Sequence, residues 1–249
     1  MVFKDKGIVL RSTELTGADR LITLFLYEKG KTKIIFKGVE KPKSRKVSSS
    51  QIGSYLDLSY RTAQTGQSYV SEVKIINSFS AIREDPVKFL YLNYILELFS
   101  HLVLESEKNT RMFHFLVNAL IFVKNEKVDM ESVMRYIEYR MIQLSGILPD
   151  FHICHQCQRS LGDVALLGRD NHLFCPGCAS SLDQKTMFDR RDQMVLKGMD
   201  RFSFKAKAIK KIPHGVNKKL KNLFYNLIVS YISSELKSYK IVYDLLKKI

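Results

Sequence analysis

Acid is scarce in this chain. It has 25 aspartates and glutamates against 40 lysines and arginines over 249 residues, a formal net charge of +15. A surplus of that size repels itself and calls for a polyanionic partner, either nucleic acid or an anionic membrane. Long apolar runs are also missing. The first of the two most apolar stretches, FLYLNYILELFSHLVLE, is interrupted by Asn93, Glu97 and His101. The second, FHFLVNALIFV, is far shorter than the ~20 apolar residues a bilayer span requires. The opening MVFKDKGIVLRS lacks an apolar core and a small-residue cleavage site. The expectation is a soluble cytoplasmic protein with no membrane partner, whose four cysteines are reduced thiols rather than disulfides.

Catalytic signatures are lacking too. The chain has no Walker loop, no His-Glu-x-x-His and no acidic cluster suited to two metals. Asp5, Glu14, Asp19 and Glu28 are scattered through the first segment and read as solvated surface. A nuclease or zinc hydrolase is therefore disfavoured, and the expectation is a protein without catalysis. Repeats and long low-complexity tracts are absent.

What the chain does have is localised. Residues 29–46 carry eight basic side chains against Glu40 alone, and residues 201–249 carry twelve against Glu235 and Asp244. The positive charge sits in these two segments, a pattern that solubility alone does not explain.

The first 80 residues read as five strands: GIVLRSTEL, RLITLFLYE, KTKIIFKGV, SYLDLSYRT and SYVSEVKII, with LTGAD, EKGK and AQTGQ as turns. Five strands fit a small barrel of the OB type, with a five-stranded sandwich as the competing arrangement. In the third strand, Lys31, Lys33 and Lys37 alternate with Thr32, Ile34 and Phe36, the pattern of a half-buried strand. A basic loop, EKPKSRKVSSS, follows it.

From about residue 82 the period becomes helical. Asp85-Pro86 is an N-cap followed by proline at the first helical position. Val87, Leu90, Tyr91, Tyr94, Ile95, Leu98 and Leu102 then form one apolar stripe. Further helices are expected over 110–124, from Asp129 to Gly146, and after Pro213 and Gly215. The expected organisation is α+β: an OB-type barrel over 1–80, a mainly helical domain over 81–249, and a cysteine module at 150–180 inserted within it.

Cys154-x-x-Cys157 and Cys175-x-x-Cys178 stand seventeen residues apart. Two tight turns, each presenting two thiolates, complete a tetrahedron around Zn²⁺ and leave no open position, so a structural zinc ion is expected. The alternatives are a redox dithiol, unpaired core cysteines, or His152, His155 or His172 replacing one ligand. On the barrel, Arg11, Arg20, Lys31, Lys33, Lys37, Lys43 and Arg45 are candidate phosphate contacts, and Tyr27, Tyr55 and Tyr60 candidate stacking platforms. Lys205, Lys207, Lys210, Lys211, Lys218, Lys219 and Lys221 would extend the basic footprint. Charge alone does not separate DNA from RNA, so an RNA-binding OB and zinc-ribbon factor of translation or transcription is the alternative reading.

The string GIVLRSTELTGADRLITLFLYEKGKTKIIFKGVEKPKSR resembles the start of the RecO family, in Gly7–Leu10, Ala18–Arg20, Gly30, Lys31 and Pro42–Arg45. LSGILPDFHICHQC, LFCPGC and SSELKSYK are similar to later family patterns. Two positions depart: Gln158 stands where glycine commonly follows the first pair, and Asn171-His172 where glycine often precedes the leucine of the second. The resemblance implies an OB-type barrel, a helical domain and an embedded zinc module. It also implies a recombination mediator in DNA repair that binds single- and double-stranded DNA and anneals strands. Such a protein contacts the acidic tail of single-strand binding protein and, with RecR, helps load the recombinase RecA.

Overall fold

In a computed structural model of the chain, residues 2–41, 46–125, 129–182, 185–201, 203–204 and 210–246 are described. The chain divides into two compact units, Met1–Lys127 with Leu236–Ile249, and Val128–Glu235.

The first unit is built on five strands: β1 (Val2–Glu14), β2 (Arg20–Leu26), β3 (Gly30–Phe36), β4 (Tyr55–Thr62) and β5 (Ser68–Asn77). The sheet closes in the order β1-β2-β3-β5-β4, which decides for the barrel against the sandwich. Closure depends on β1, a strand 13 residues long. Its first half, Val2–Ile8, pairs with β4, and its second half, from Gly7, pairs with β2. The register shifts between Val9 and Arg11, and such a bulge bends a strand round a barrel corner. Gly7 lies where the two pairings overlap, and a Cβ there would come 2.6 Å from a Leu26 methyl. Inward-facing Val9, Ile22, Leu24, Leu26, Ile34, Phe36, Leu56 and Leu58 fill the interior.

β3 meets β5 in parallel only at Ile34↔Ser68 and Ile35↔Tyr69. Its earlier half is paired instead by the chain after the second helix: Lys31 N donates to Leu104 O at 3.4 Å, and Ser106 N to Lys31 O at 3.1 Å. Gly30 makes this strap fit. Its φ is +67°, and a Cβ would stand 2.0 Å from Glu107 O, so only glycine is tolerated there.

Helices α1 (Ser80–Glu84), α2 (Pro86–Leu102), α3 (Thr110–Asn125) and α7 (Lys237–Leu246) belong to the same unit. Asp85 caps α2 as expected, accepting from Val87 N and Lys88 N. Phe113 of α3 packs its ring against Phe25, Tyr27 and Tyr55 of the barrel. Glu97 accepts from Lys237 N and Ser238 N, so α2 caps α7 with a carboxylate.

The second unit holds α4 (Met130–Leu144), α5 (Arg190–Gly198), α6 (His214–Ile232) and a small sheet ordered β7-β6-β8, with β6 Ala165–Leu167, β7 Leu173–Phe174 and β8 Thr186–Phe188. Asp129 caps α4. Ser132 Oγ of α4 accepts from Ile212 N at 2.8 Å, and Glu131 of α4 from the Asn217 amide of α6 at 2.9 Å. Within α4, Arg135 and Glu138 are fully buried and paired at 3.0 Å.

Candidate metal centre and nucleic-acid interface

The four cysteines converge. Cys154 follows an isolated β-bridge between Ile153 and Ser160. Its N–H reaches Arg159 O at 2.8 Å and its carbonyl accepts from Gln158 N at 2.9 Å, which closes the turn. Gln158 consequently sits at φ +59°, the left-handed conformation that glycine adopts most easily. Its side-chain amide donates to His155 O at 2.7 Å, which compensates. The second departure has the same explanation. Asn171 has φ +64°, and asparagine is among the few residues that tolerate that region. Both departures from the glycine pattern therefore preserve the backbone that glycine would give.

His155 N donates to Leu173 O at 2.9 Å, tying the first knuckle to β7 and so to the second knuckle. The four sulfurs all lie within 4.8 Å of one another, with Cys157 Sγ and Cys175 Sγ 3.9 Å apart. Thiolates about 2.3 Å from a tetrahedral zinc ion stand roughly 3.8 Å from each other, so this donor set fits such an ion. Cys154 is buried and the other three are half-buried. The Arg159 backbone N–H and then its guanidinium hold the Cys157 thiol down to about 6, which favours a thiolate there. The hydrogen bond with Cys175 and then burial push Cys178 up to about 12, so a bound metal would have to displace that proton. The cluster is thus a site able to bind a metal. His155 and His172 stack on each other at 3.8 Å and stand outside the four-sulfur cluster.

The candidate phosphate contacts divide. Arg11, Thr23 and Lys33 lie in one cross-strand row, since Arg11 pairs with Thr23 and Thr23 with Lys33. Arg11 and Lys33 are both exposed on that outer face. Lys31 and Lys33 line a groove of about 400 Å³ over β3, together with Lys29, Thr32, Phe3, Tyr60 and the β4–β5 turn. Phe3 stacks on Tyr60 at 5.4 Å, and Lys29 Nζ stands 5.4 Å above the Phe3 ring. Among the described residues one acid enters the groove: Glu105, on the strap, 3.7 Å from Lys33 Nζ.

Three of the candidates are engaged within the fold. Arg20 is held between Glu40 at 2.7 Å and Glu14 at 3.5 Å, so its charge is matched internally. Lys37 Nζ sits 4.8 Å over Tyr69. Lys31 Nζ donates to Ser100 O at 2.8 Å and thereby caps the end of α2. Tyr27 and Tyr55 are engaged by Phe113, and Tyr60, only 3% exposed, belongs to the barrel core, so the half-buried Phe3 stacked on it is the aromatic ring presented at the groove. Lys43, Arg45, Lys205 and Lys207 lie outside the described residues. Sequence reasoning missed Phe3 as a site residue and left Lys29 in the background. Phe3 precedes the first strand as read from the sequence, and only the pairing of β1 with β4 brings it to Tyr60.

Residues 1–79 match the family described as Recombination protein O N terminal, and residues 83–240 match Recombination protein O C terminal. The chain belongs to the RecO family. Its RecO relatives include the DNA repair protein RecO of Desulforamulus reducens, 27% identical over 95% of this chain and 92% of that protein. The DNA repair protein RecO of Bacillus pumilus is 30% identical over 72% of this chain and 70% of its own length. That of Bacillus subtilis is 29% identical over 72% and 69%. The RecO match covers both the barrel and the cysteine module, as the resemblance implied. Among the described residues no helix is long and apolar enough to cross a membrane.

Proposed function

We propose that this chain is a cytoplasmic, non-enzymatic recombination mediator of DNA repair. It binds single- and double-stranded DNA, anneals complementary strands and, with RecR, helps load RecA onto DNA coated with single-strand binding protein, whose acidic tail it contacts. The observation that carries the reading is the groove over β3, where three lysines and the half-buried Phe3 ring line one face of an OB-type barrel. Small barrels hold single strands with a cationic groove and aromatic faces, independent of sequence. Lys29 and Lys33 supply charge at its rim, Arg11 extends it across the sheet, and Lys31 contributes while anchored to α2. Lys37, Lys43 and Arg45 belong to the same basic run, and Arg20 acts as a positioning residue through its two carboxylate partners.

Cys154, Cys157, Cys175 and Cys178 would hold one zinc ion. That ion would supply folding energy to the knuckles and no catalysis, because four sulfurs fill its coordination shell.

The test is annealing of complementary oligonucleotides coated with single-strand binding protein, with and without its acidic tail. The reading predicts that this chain accelerates annealing only when the tail is present, and that DNA competes better than RNA at fixed salt. Equal preference for RNA, with no annealing, favours the translation or transcription factor. Degradation of DNA in Mg²⁺ or Mn²⁺ by the purified chain contradicts the absence of catalysis.

A further inference from the structure

The second unit contains a cleft of about 730 Å³ between the small sheet of the cysteine module and α6. On α6, Lys218, Asn222 and Asn226 recur every four residues, which puts all three exposed side chains on one helix face. Across from them stand Arg169, in the β6–β7 turn, and Lys185, just before β8, both exposed. Lys219 also lines the cleft, but its ammonium is committed to the buried Asp192 carboxylate at 2.5 Å, and Lys185 Nζ donates one of its three hydrogens to Ala179 O at 3.2 Å. Among the described residues, no carboxylate lines the cleft itself.

The geometry points to a second nucleic-acid site here: a cleft that takes a single-stranded phosphodiester segment, with Arg169, Lys185 and Lys218 on its phosphates and the α6 amides on an unstacked base. Three features carry this. The volume lies within the roughly 300–1,000 Å³ that ligand sites offer, enough for a nucleoside unit. The cations are arranged on two facing elements, so an anion between them meets charge from both sides. The amides of Asn222 and Asn226 each offer donors and an acceptor, which matches the mixed edge of a base. An acidic peptide lacks the planar π-face and mixed donor–acceptor edge of a base, although its backbone N–H groups can also meet the amide oxygens; an oligo-aspartate probe separates the two. The inference rests on the nucleic-acid reading of the chain and adds to it that the cysteine module forms one wall of a strand site, besides bracing the fold. A strand site on each unit would let one chain hold two strand segments, raising the effective concentration of one for the other.

The experiment uses the full chain and a fluorescein-labelled oligo-dT, titrated over a salt series, with oligo-aspartate as a second probe. The cleft variant is Lys185→Gln with Lys218→Gln, and the barrel variant is Lys29→Gln with Lys33→Gln. Two lost phosphate contacts lower the salt slope by about 1.4 and weaken binding on the order of tenfold at moderate salt. Oligonucleotides carrying iodouracil should crosslink to peptides from α6. Asn222→Asp, which places a negative charge inside the cleft, should weaken binding to a similar degree and serves if the double variant melts early. If the barrel variant loses affinity while both cleft variants bind as wild type, the cleft is not a strand site and the nucleic-acid reading survives. If neither loses affinity, both readings fail. Cleft variants that keep oligo-dT but lose oligo-aspartate overturn the assignment in favour of an acidic peptide.

Discussion

At the scale of single residues, backbone hydrogen bonds explain what the side chains alone do not. Gln158 and Asn171 occupy left-handed positions where glycine was the family expectation, and each is accommodated by its own chemistry. Asp5 is another such residue. Its carboxylate accepts from Lys6 N at 2.7 Å and Glu28 N at 3.1 Å, closing the end of the barrel near the β2–β3 turn. Burial outweighs these donors and pushes its pKa above the ordinary carboxylate value. Between those two values the folded protein holds more proton than the unfolded chain, so this contribution is present at low pH and lost as pH rises through the window. Measured from about pH 4 to about pH 6, the melting temperature of wild type relative to Asp5→Asn should therefore fall. A relative rise would mean that the backbone donors dominate. At the cysteines, Cys154→Ser should lower zinc content and solubility together. Elemental analysis finding no zinc in fresh wild-type protein would contradict the metal assignment.

At the scale of elements, period and punctuation were legible and closure was not. The five barrel strands and helices α2, α3, α4 and α6 stand where alternation, Asp85-Pro86, Asp129 and Pro213 put them. The start of β1 was missed, because VFKDK carries three charges in succession, Lys4, Asp5 and Lys6, and reads as a solvated end. Yet that half of the strand closes the barrel onto β4. The three-residue strands β6 and β8 and the two-residue β7 are too short for a period to declare itself. α7 was passed over because it depends on a tertiary cap from Glu97. The change of period near residue 80 marks where strand gives way to helix, but α2, α3 and α7 remain in one compact unit with the barrel. The strap after α2 carries its own consequence. Glu105 places a carboxylate in the basic groove, where it opposes an incoming phosphate. Glu105→Gln should raise affinity for oligo-dT by a few-fold at low salt, a difference that screening removes at high salt. Unchanged or weaker binding would place the strand away from β3.

At the scale of the whole molecule, the sequence located the positive charge but not its orientation. Seven candidate contacts were read on the barrel, five of them in the basic run at 29–46; the described fold gathers Arg11, Lys31 and Lys33 and engages Arg20 and Lys37 elsewhere. A linear sequence gives strand parity, but it does not say which neighbouring carboxylates will neutralise a given arginine. The cysteine cluster was the most legible feature, since the spacing of its two pairs points to one centre and the four sulfurs converge there. Charge reversal at Lys31 would also disturb its contact with Ser100 O, so the groove is better probed at Lys29, Lys33 and Arg11.

The measurement closest to the central claim is the salt dependence of oligo-dT affinity for wild type and for Arg11→Gln, Lys29→Gln, Lys33→Gln combined. If these side chains contact three phosphates, the logarithmic salt slope falls by about 2 and binding weakens severely with the fold intact. A variant with wild-type affinity and an undiminished slope would show that the barrel groove does not hold the strand.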